Sequence, residues 1–374
     1  MNQAEGGQTA GYRVVPADIP NQGILYVDHQ QHGRSGHGGN CLTECTNGDI
    51  LSFYSNVSGE IHRGHGTAGW SEFRRSRDGG QTWGKPVKVE YSVQAWEGDQ
   101  MHSALVFAAT TAPDGTVIAF VSHFDEPELW VKKLPPVYLL SHDHGHTWSD
   151  PRPLDPGATV EEVSLTFDAV FTHAGSIYIA YMGGSANYCP GPYTLHVSVD
   201  NGDTFERRSI LPFDYENYYV TAGALDSGDI IVYSYPYRKN APIDEYDIPY
   251  VTSADAGKTW SEIRTTHFAR AIRNMQLSPK IGHLYFLQGR SGSKSRDPGN
   301  LVLYASPDGI HWDDGVLLYR KQVGGGDCYS ANEVIGQYTD DARLRLLIQS
   351  SIAYEQGNSK VNECHWWVED IDGA

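Results

Sequence analysis

Two groups of side chains in this 374-residue chain have the types and spacing that acid–base chemistry needs. His102 and His123 lie 21 residues apart on either arm of one strand–turn–strand segment, and Tyr219 and Arg238 lie 19 apart on another. A neutral imidazole accepts a proton near neutral pH and a phenol can return one. A guanidinium stays charged and grips a carboxylate through parallel hydrogen bonds. Arg273 and Arg290 add two further anion contacts, for carboxylate or sulfate. His37, Asn40, His65, Tyr329 and Tyr354 complete the polar groups at corresponding places in other segments. Each has a plainer reading. His102 precedes an apolar strand and can bond a backbone carbonyl, and His123 can be a loop residue. Tyr219 competes with Tyr218 in a chain of 23 tyrosines. His clusters such as His62 and His65 also serve metals or bare loops. No cofactor is required by these groups, and a structural or charge-neutralising metal stays open.

What must position them is a repeat. Ser76-Arg77-Asp78-Gly79-Gly80-Gln81-Thr82-Trp83 reads S-x-D-x-G-x-T-W, and Ser141 through Asp143, Gly145 and Thr147 to Trp148 repeats it. The pattern returns at Ser198–Phe205 and Ser253–Trp260, and one residue shorter at Ser306–Trp312. Its aspartates, 78, 143, 200, 255 and 308, are separated by 65, 57, 55 and 53 residues. Between copies, apolar runs flank glycine turns: Ile50–Tyr54 follows Asn47-Gly48, Val117–Val121 follows Asp114-Gly115, and Ile177–Tyr181 follows Ala174-Gly175. Ile230–Tyr233 follows Ser227-Gly228 in the same way. Each is a hairpin signal, and helical periodicity is essentially absent. A four-stranded antiparallel unit of roughly 50 residues, repeated radially, is a β-propeller blade. Blades start near residues 37, 100, 163, 217, 271 and 327. The last has about three strands, and Gly23–Val27 supplies the fourth. The fold expected is therefore an all-β propeller of six blades, with seven as the alternative, in one domain over 1–374.

The repeats resemble the Asp-boxes of sialidases and their relatives, and this resemblance covers almost the whole chain. The box is architectural: Asp accepts backbone N–H bonds across a tight turn, Gly supplies a positive φ, and Trp packs between sheets. His142, His144 and His146 sit inside one box and are expected on the surface.

In a propeller, the start of the innermost strand and the end of the next strand open on one mouth of the central channel. That rule brings together the residues named above. The sialidase resemblance implies an arginine triad and a Tyr nucleophile, for which Arg238, Arg290 and Tyr329 occupy matching places. It departs at three others: His37–Leu42 stands for the Arg-Ile-Pro motif, Gly66–Gly69 for the general-acid Asp, and Tyr219, with Glu216 just upstream, for the Glu. The site pattern is similar to that of propeller polysaccharide lyases, the ulvan and rhamnose–glucuronate lyases. These carry a His pair on one inner hairpin and a Tyr and an Arg two blades later, here His102, His123, Tyr219 and Arg238. The resemblance implies β-elimination from a uronate: Arg neutralises the carboxylate, His or Tyr removes the C5 proton, and Tyr or His protonates the departing O4. Ordinary glycoside hydrolysis instead uses a facing pair of carboxylates.

Composition narrows the classes. A net charge of −18 argues against nucleic acid, and it requires that any acidic oligo- or polysaccharide be recognised locally at the mouth. No apolar run reaches the length that spans a bilayer, so no membrane partner is expected. Met1–Gly11 is polar; the expected location is cytoplasmic if Met1 is native, and secreted or periplasmic if a leader was removed. The five cysteines form no C-x-x-C pair, and Cys41 and Cys45 read as packing on one strand face. Three functions fit: an eliminating lyase, a sialidase-like hydrolase, and a propeller that binds glycan or protein without catalysis.

Overall fold

A computed structural model describes residues 11–15, 23–28, 34–35, 40–58, 68–98, 102–125, 134–156, 169–182, 193–213, 217–236, 246–291, 300–320, 329–339, 343–351 and 360–370. Strands dominate because the hairpin arms are rich in β-branched and aromatic residues. Val117–Val121 is buried at every position, on both faces of its sheet. Burial of both faces is what a sheet sandwiched between two neighbours requires.

Six antiparallel sheets result. Their innermost strands are Cys41–Glu44, His102–Thr111, Ala169–His173, Asn217–Ala224, Arg273–Leu277 and Ser330–Ile335. Each packs on the next around the ring, and the sixth packs on the first, so the circle closes with six blades. Closure uses the N-terminal chain. Ile24–Asp28 pairs with Lys360–Glu363, as the spacing predicts, and Tyr12–Val15 pairs with Trp367–Asp370 beside it. Two short pieces thus share the outer position of blade six.

One element was not legible in the sequence. A helix, Glu90–Glu97, lies between blades one and two and packs on the strands Ala68–Ser76 and His102–Thr111. Among its residues only Ser92 is fully buried, with Tyr91 and Ala95 packed partly against the core, and eight residues are too few for that one-sided pattern to stand out among the strand signals.

The boxes lie at the end opposite the mouth and act as joints. In blade two Asp143 Oδ1 accepts from the Ser141 hydroxyl (2.8 Å) and the Thr147 amide (2.8 Å), and Gly145 N donates to Ser141 Oγ (2.7 Å). Two consecutive residues there are left-handed, His144 at φ 60° and Gly145 at 82°. A Cβ on Gly145 would meet Leu51 Cδ1 of blade one at 2.6 Å, so only glycine permits this approach. His144 is a further joint rather than a surface residue: its Nε2 lies 3.1 Å from Thr46 Oγ1, and its carbonyl accepts from Arg75 of blade one at 2.7 Å. The sequence offers no hint of this, because the partners are about 70 and 98 residues away.

The box aromatics each pack on the preceding blade. Trp83 stacks on His365 (5.1 Å between ring centroids), Trp148 lies against Phe53 and Phe73, and Phe205 against Phe120 and Tyr138. Trp260 Nε1 donates to Ser209 Oγ (3.0 Å). Replacing Trp148 by Ala should therefore destabilise the protein by about 3–5 kcal/mol, the usual cost of a large aromatic truncation in a core. Asp143→Ala should also lower stability while leaving activity per folded molecule intact. Calorimetry alongside activity checks both, and an Asp143→Ala protein of normal stability without activity would overturn this role.

Candidate functional site

Irregular backbone builds the mouth. The innermost strand of blade four is bulged between Tyr218 and Val220, and Tyr219 sits in the bulge at φ 51°. The innermost strand of blade five is irregular between Arg273 and Gln276, with Asn274 at φ 49°. Left-handed backbone is uncommon outside glycine, least so for asparagine, and bulges re-aim side chains. Both irregularities occur at neighbouring strand starts facing one mouth.

The side chains they present converge. Arg273 is directly paired with Arg290 across the hairpin of blade five. Arg290 is 3% exposed, its Nε donates to Asn274 Oδ1 (3.0 Å), and its guanidinium lies 4.0 Å from the centre of the Tyr329 ring. Arg273 lies over the ring of Tyr235 at 6.0 Å, and that ring is 6.2 Å from Tyr219. Burial pushes the Tyr219 phenol above its ordinary value, Tyr329 adds to the shift, and Arg273 and Arg290 oppose it. The phenol is thus protonated at neutral pH. Among the described residues, the groups acting on Tyr219 include the guanidiniums of Arg273 and Arg290 and the phenols of Tyr329 and Tyr235. The arrangement can hold an anion between the arginines and present the Tyr219 hydroxyl proton to it.

Tyr329 is held by its backbone. Its carbonyl accepts from Ser351 N (3.2 Å), Ser350 Oγ (3.3 Å) and Asn40 Nδ2 (3.4 Å). Asn40 also reaches Glu363 Oε1 at 3.5 Å, and burial raises the Glu363 carboxyl well above its usual range. Asn40 is therefore a buried support of the mouth wall.

The histidines form the second group, at the start of blade two. His102 and His123 are both buried, with ring centroids 5.3 Å apart. His123 Nδ1 is 2.9 Å from the Pro135 carbonyl, and its Nε2 is 2.9 Å from the Tyr91 hydroxyl. Burial, and after it His102, lowers His123 to about 4, so it is neutral at pH 7.

The structure thus brings Tyr219, Arg273, Arg290 and Tyr329 together and His102 with His123, both groups opening on one mouth. Arg238, His37, His65 and Tyr354 lie outside the described residues, as do His62, Glu216 and the side chain of Tyr218. Sequence reading missed Asn274 and Tyr91. Asparagine's tolerance of left-handed backbone is a weak pointer to the first; nothing local marks the second. Below the mouth the channel holds a cavity of about 490 Å³, lined by Thr43, Glu44, Thr111, Gln276 and Asn332 among others. Among the described residues no group of three or more His, Cys, Asp or Glu is placed to hold a metal, and no helix is long and apolar enough to cross a membrane.

The family model for BNR repeat-like domains matches residues 70–354, from the end of blade one into blade six. The chain belongs to that family. No curated protein matches this member. Among solved structures, a Dyadobacter fermentans protein of unknown function is 13% identical, with a TM-score of 0.70 over 97% of this chain and 100% of that one. A Hadza microbial sialidase, Hz136, is 17% identical, with a TM-score of 0.64 over 91% of this chain and 68% of its own. A Penicillium chrysogenum α-L-arabinanase complexed with arabinobiose is 15% identical, with a TM-score of 0.63 over 94% and 98%. At these identities the BNR chain shares with them the propeller fold.

Proposed function

We propose that this BNR-family protein is an enzyme that cleaves a uronate-containing glycan by β-elimination. The observation that carries the reading is the blade four to six cluster, in which two arginines suited to a carboxylate stand beside a protonated Tyr219. Glycosidases of the usual kinds need a carboxylate pair, and elimination does not. Sugar-acting propellers among the fold neighbours agree with a glycan substrate.

In this reading Arg290 and Arg273 bind the uronate carboxylate and make the C5 proton removable. His102 takes that proton, the C5–H electrons form the C4–C5 double bond, and the C4–O4 bond breaks. Tyr219 gives its proton to O4. Arg238, predicted from its spacing, would add a third cation.

A second reading rests on Tyr329. Its ring lies under Arg290, and a sialidase-like hydrolase would use that phenol as nucleophile. Incubation with a panel of uronate glycans separates the two, because only elimination creates an unsaturated uronate and a rising ultraviolet absorbance. New reducing ends without that absorbance would replace the lyase by the hydrolase. Carbohydrate binding without any cleavage would leave a recognition propeller.

A further inference from the structure

The helix Glu90–Glu97 is the one helix among the described residues, and it enters the fold where the two histidines stand. Its first turn carries Tyr91. The Ser92 hydroxyl bonds the Ala104 carbonyl and accepts from Ser71 N at 2.8 Å, which seats that turn on blades one and two. Tyr91 is thereby delivered edge-on to His123, with ring centroids 6.0 Å apart at 86°.

The two hydrogen bonds of His123 decide where its proton sits. The Pro135 carbonyl can only accept, so Nδ1 carries the hydrogen. Nε2 of the neutral ring then accepts from the Tyr91 hydroxyl. Both nitrogens of His123 are engaged by protein groups, while its ring faces His102. Among the described residues, the titratable groups facing His123 are His102 and Tyr91. We propose that Tyr91 is a positioning residue that locks His123 as the neutral Nδ1–H tautomer, so that His123 supports His102 and leaves removal of the C5 proton to His102. The assignment of proton transfer rests on the elimination reading; the assignment of the tautomer does not.

Burial of Tyr91 raises its phenol, which keeps it a donor. A histidine with both nitrogens fixed contributes shape and a neutral surface. Were it protonated, its charge would oppose the uptake of a proton by His102 a few ångströms away.

Two measurements on the full chain test this. Nitrogen-15 spectra of histidine-labelled protein, assigned with His123→Gln, should show His123 at pH 7 as a single neutral Nδ1–H tautomer. In Tyr91→Phe the ring should lose that single form and titrate at higher pH, because the bond that favours the neutral ring is gone. An Nε2–H or protonated His123 in the wild-type protein would overturn the proposal whatever the enzyme does. On a uronate glycan that the wild type eliminates, Tyr91→Phe should lower kcat by about tenfold with KM unchanged and the melting temperature retained. Unchanged kcat together with an unchanged His123 spectrum would also overturn it. Absence of elimination by the wild type would sink the function and leave the spectroscopic test intact.

Discussion

Tyr219→Phe is expected to abolish elimination, with a loss of at least about 10³-fold in kcat and little change in KM. The change removes one oxygen and keeps the ring, so packing against Tyr235 survives. Under the elimination reading, what is lost is the proton for O4, and positioned proton transfer is typically worth about 10²–10⁴ in rate. The bulged backbone at φ 51° adds to the expected cost, since it holds the phenol beside two arginines at no further entropic expense. Tyr329→Phe supplies the contrast. Under elimination it should cost only a few-fold, because the phenylalanine ring still lies beneath Arg290. A sialidase-like hydrolase would respond the other way, since the nucleophile itself would be missing. Steady-state kinetics of the two variants on one substrate settle the choice: an inactive Tyr329→Phe beside an active Tyr219→Phe excludes the eliminating mechanism.

Arg290→Ala should be the second large effect, a loss of about 10²–10³ in kcat/KM, equivalent to about 3–4 kcal/mol. The guanidinium is almost fully buried, and Asn274 fixes its direction, so under the elimination reading its charge would be preorganised for a developing C5 carbanion. Arg290→Lys should recover little. An ammonium has one charged centre, and it cannot satisfy Asn274 and a carboxylate in the geometry of a planar fork. A neutral ester of the same glycan gives a direct check. If the arginines act on the carboxylate, the ester should respond much less than the free uronate to Arg290→Ala. Equal losses on both substrates would show that Arg290 acts by supporting Tyr329 and the wall of blade six.

Local signals along the chain were sufficient for the propeller. The Asp-boxes are short-range devices: Ser141, Asp143, Gly145 and Thr147 bond one another within six residues, so their spacing announces the joint, and glycine turns announce the hairpins. Blade order then decided that Tyr219, Arg273, Arg290 and Tyr329 share a mouth, since strand starts and hairpin ends alternate between the two ends of a closed ring.

Other features needed the folded chain. Tyr91 meets His123 across 32 residues, on a helix of only eight residues. Asn40 supports Tyr329 from 289 residues away, across the closure of the ring. The tautomer of His123 depends on the Pro135 carbonyl, a backbone group that no side-chain motif encodes. The sequence by itself determined the propeller, its blade-sized repeat and the strand starts that open on one mouth, because those follow from periodicity and turn chemistry, while closure of the ring settled six blades over seven. Which of those residues meet, with what protonation and at what backbone strain, was decided by tertiary structure, because burial and hydrogen-bond partners exist only once distant strands have closed the ring.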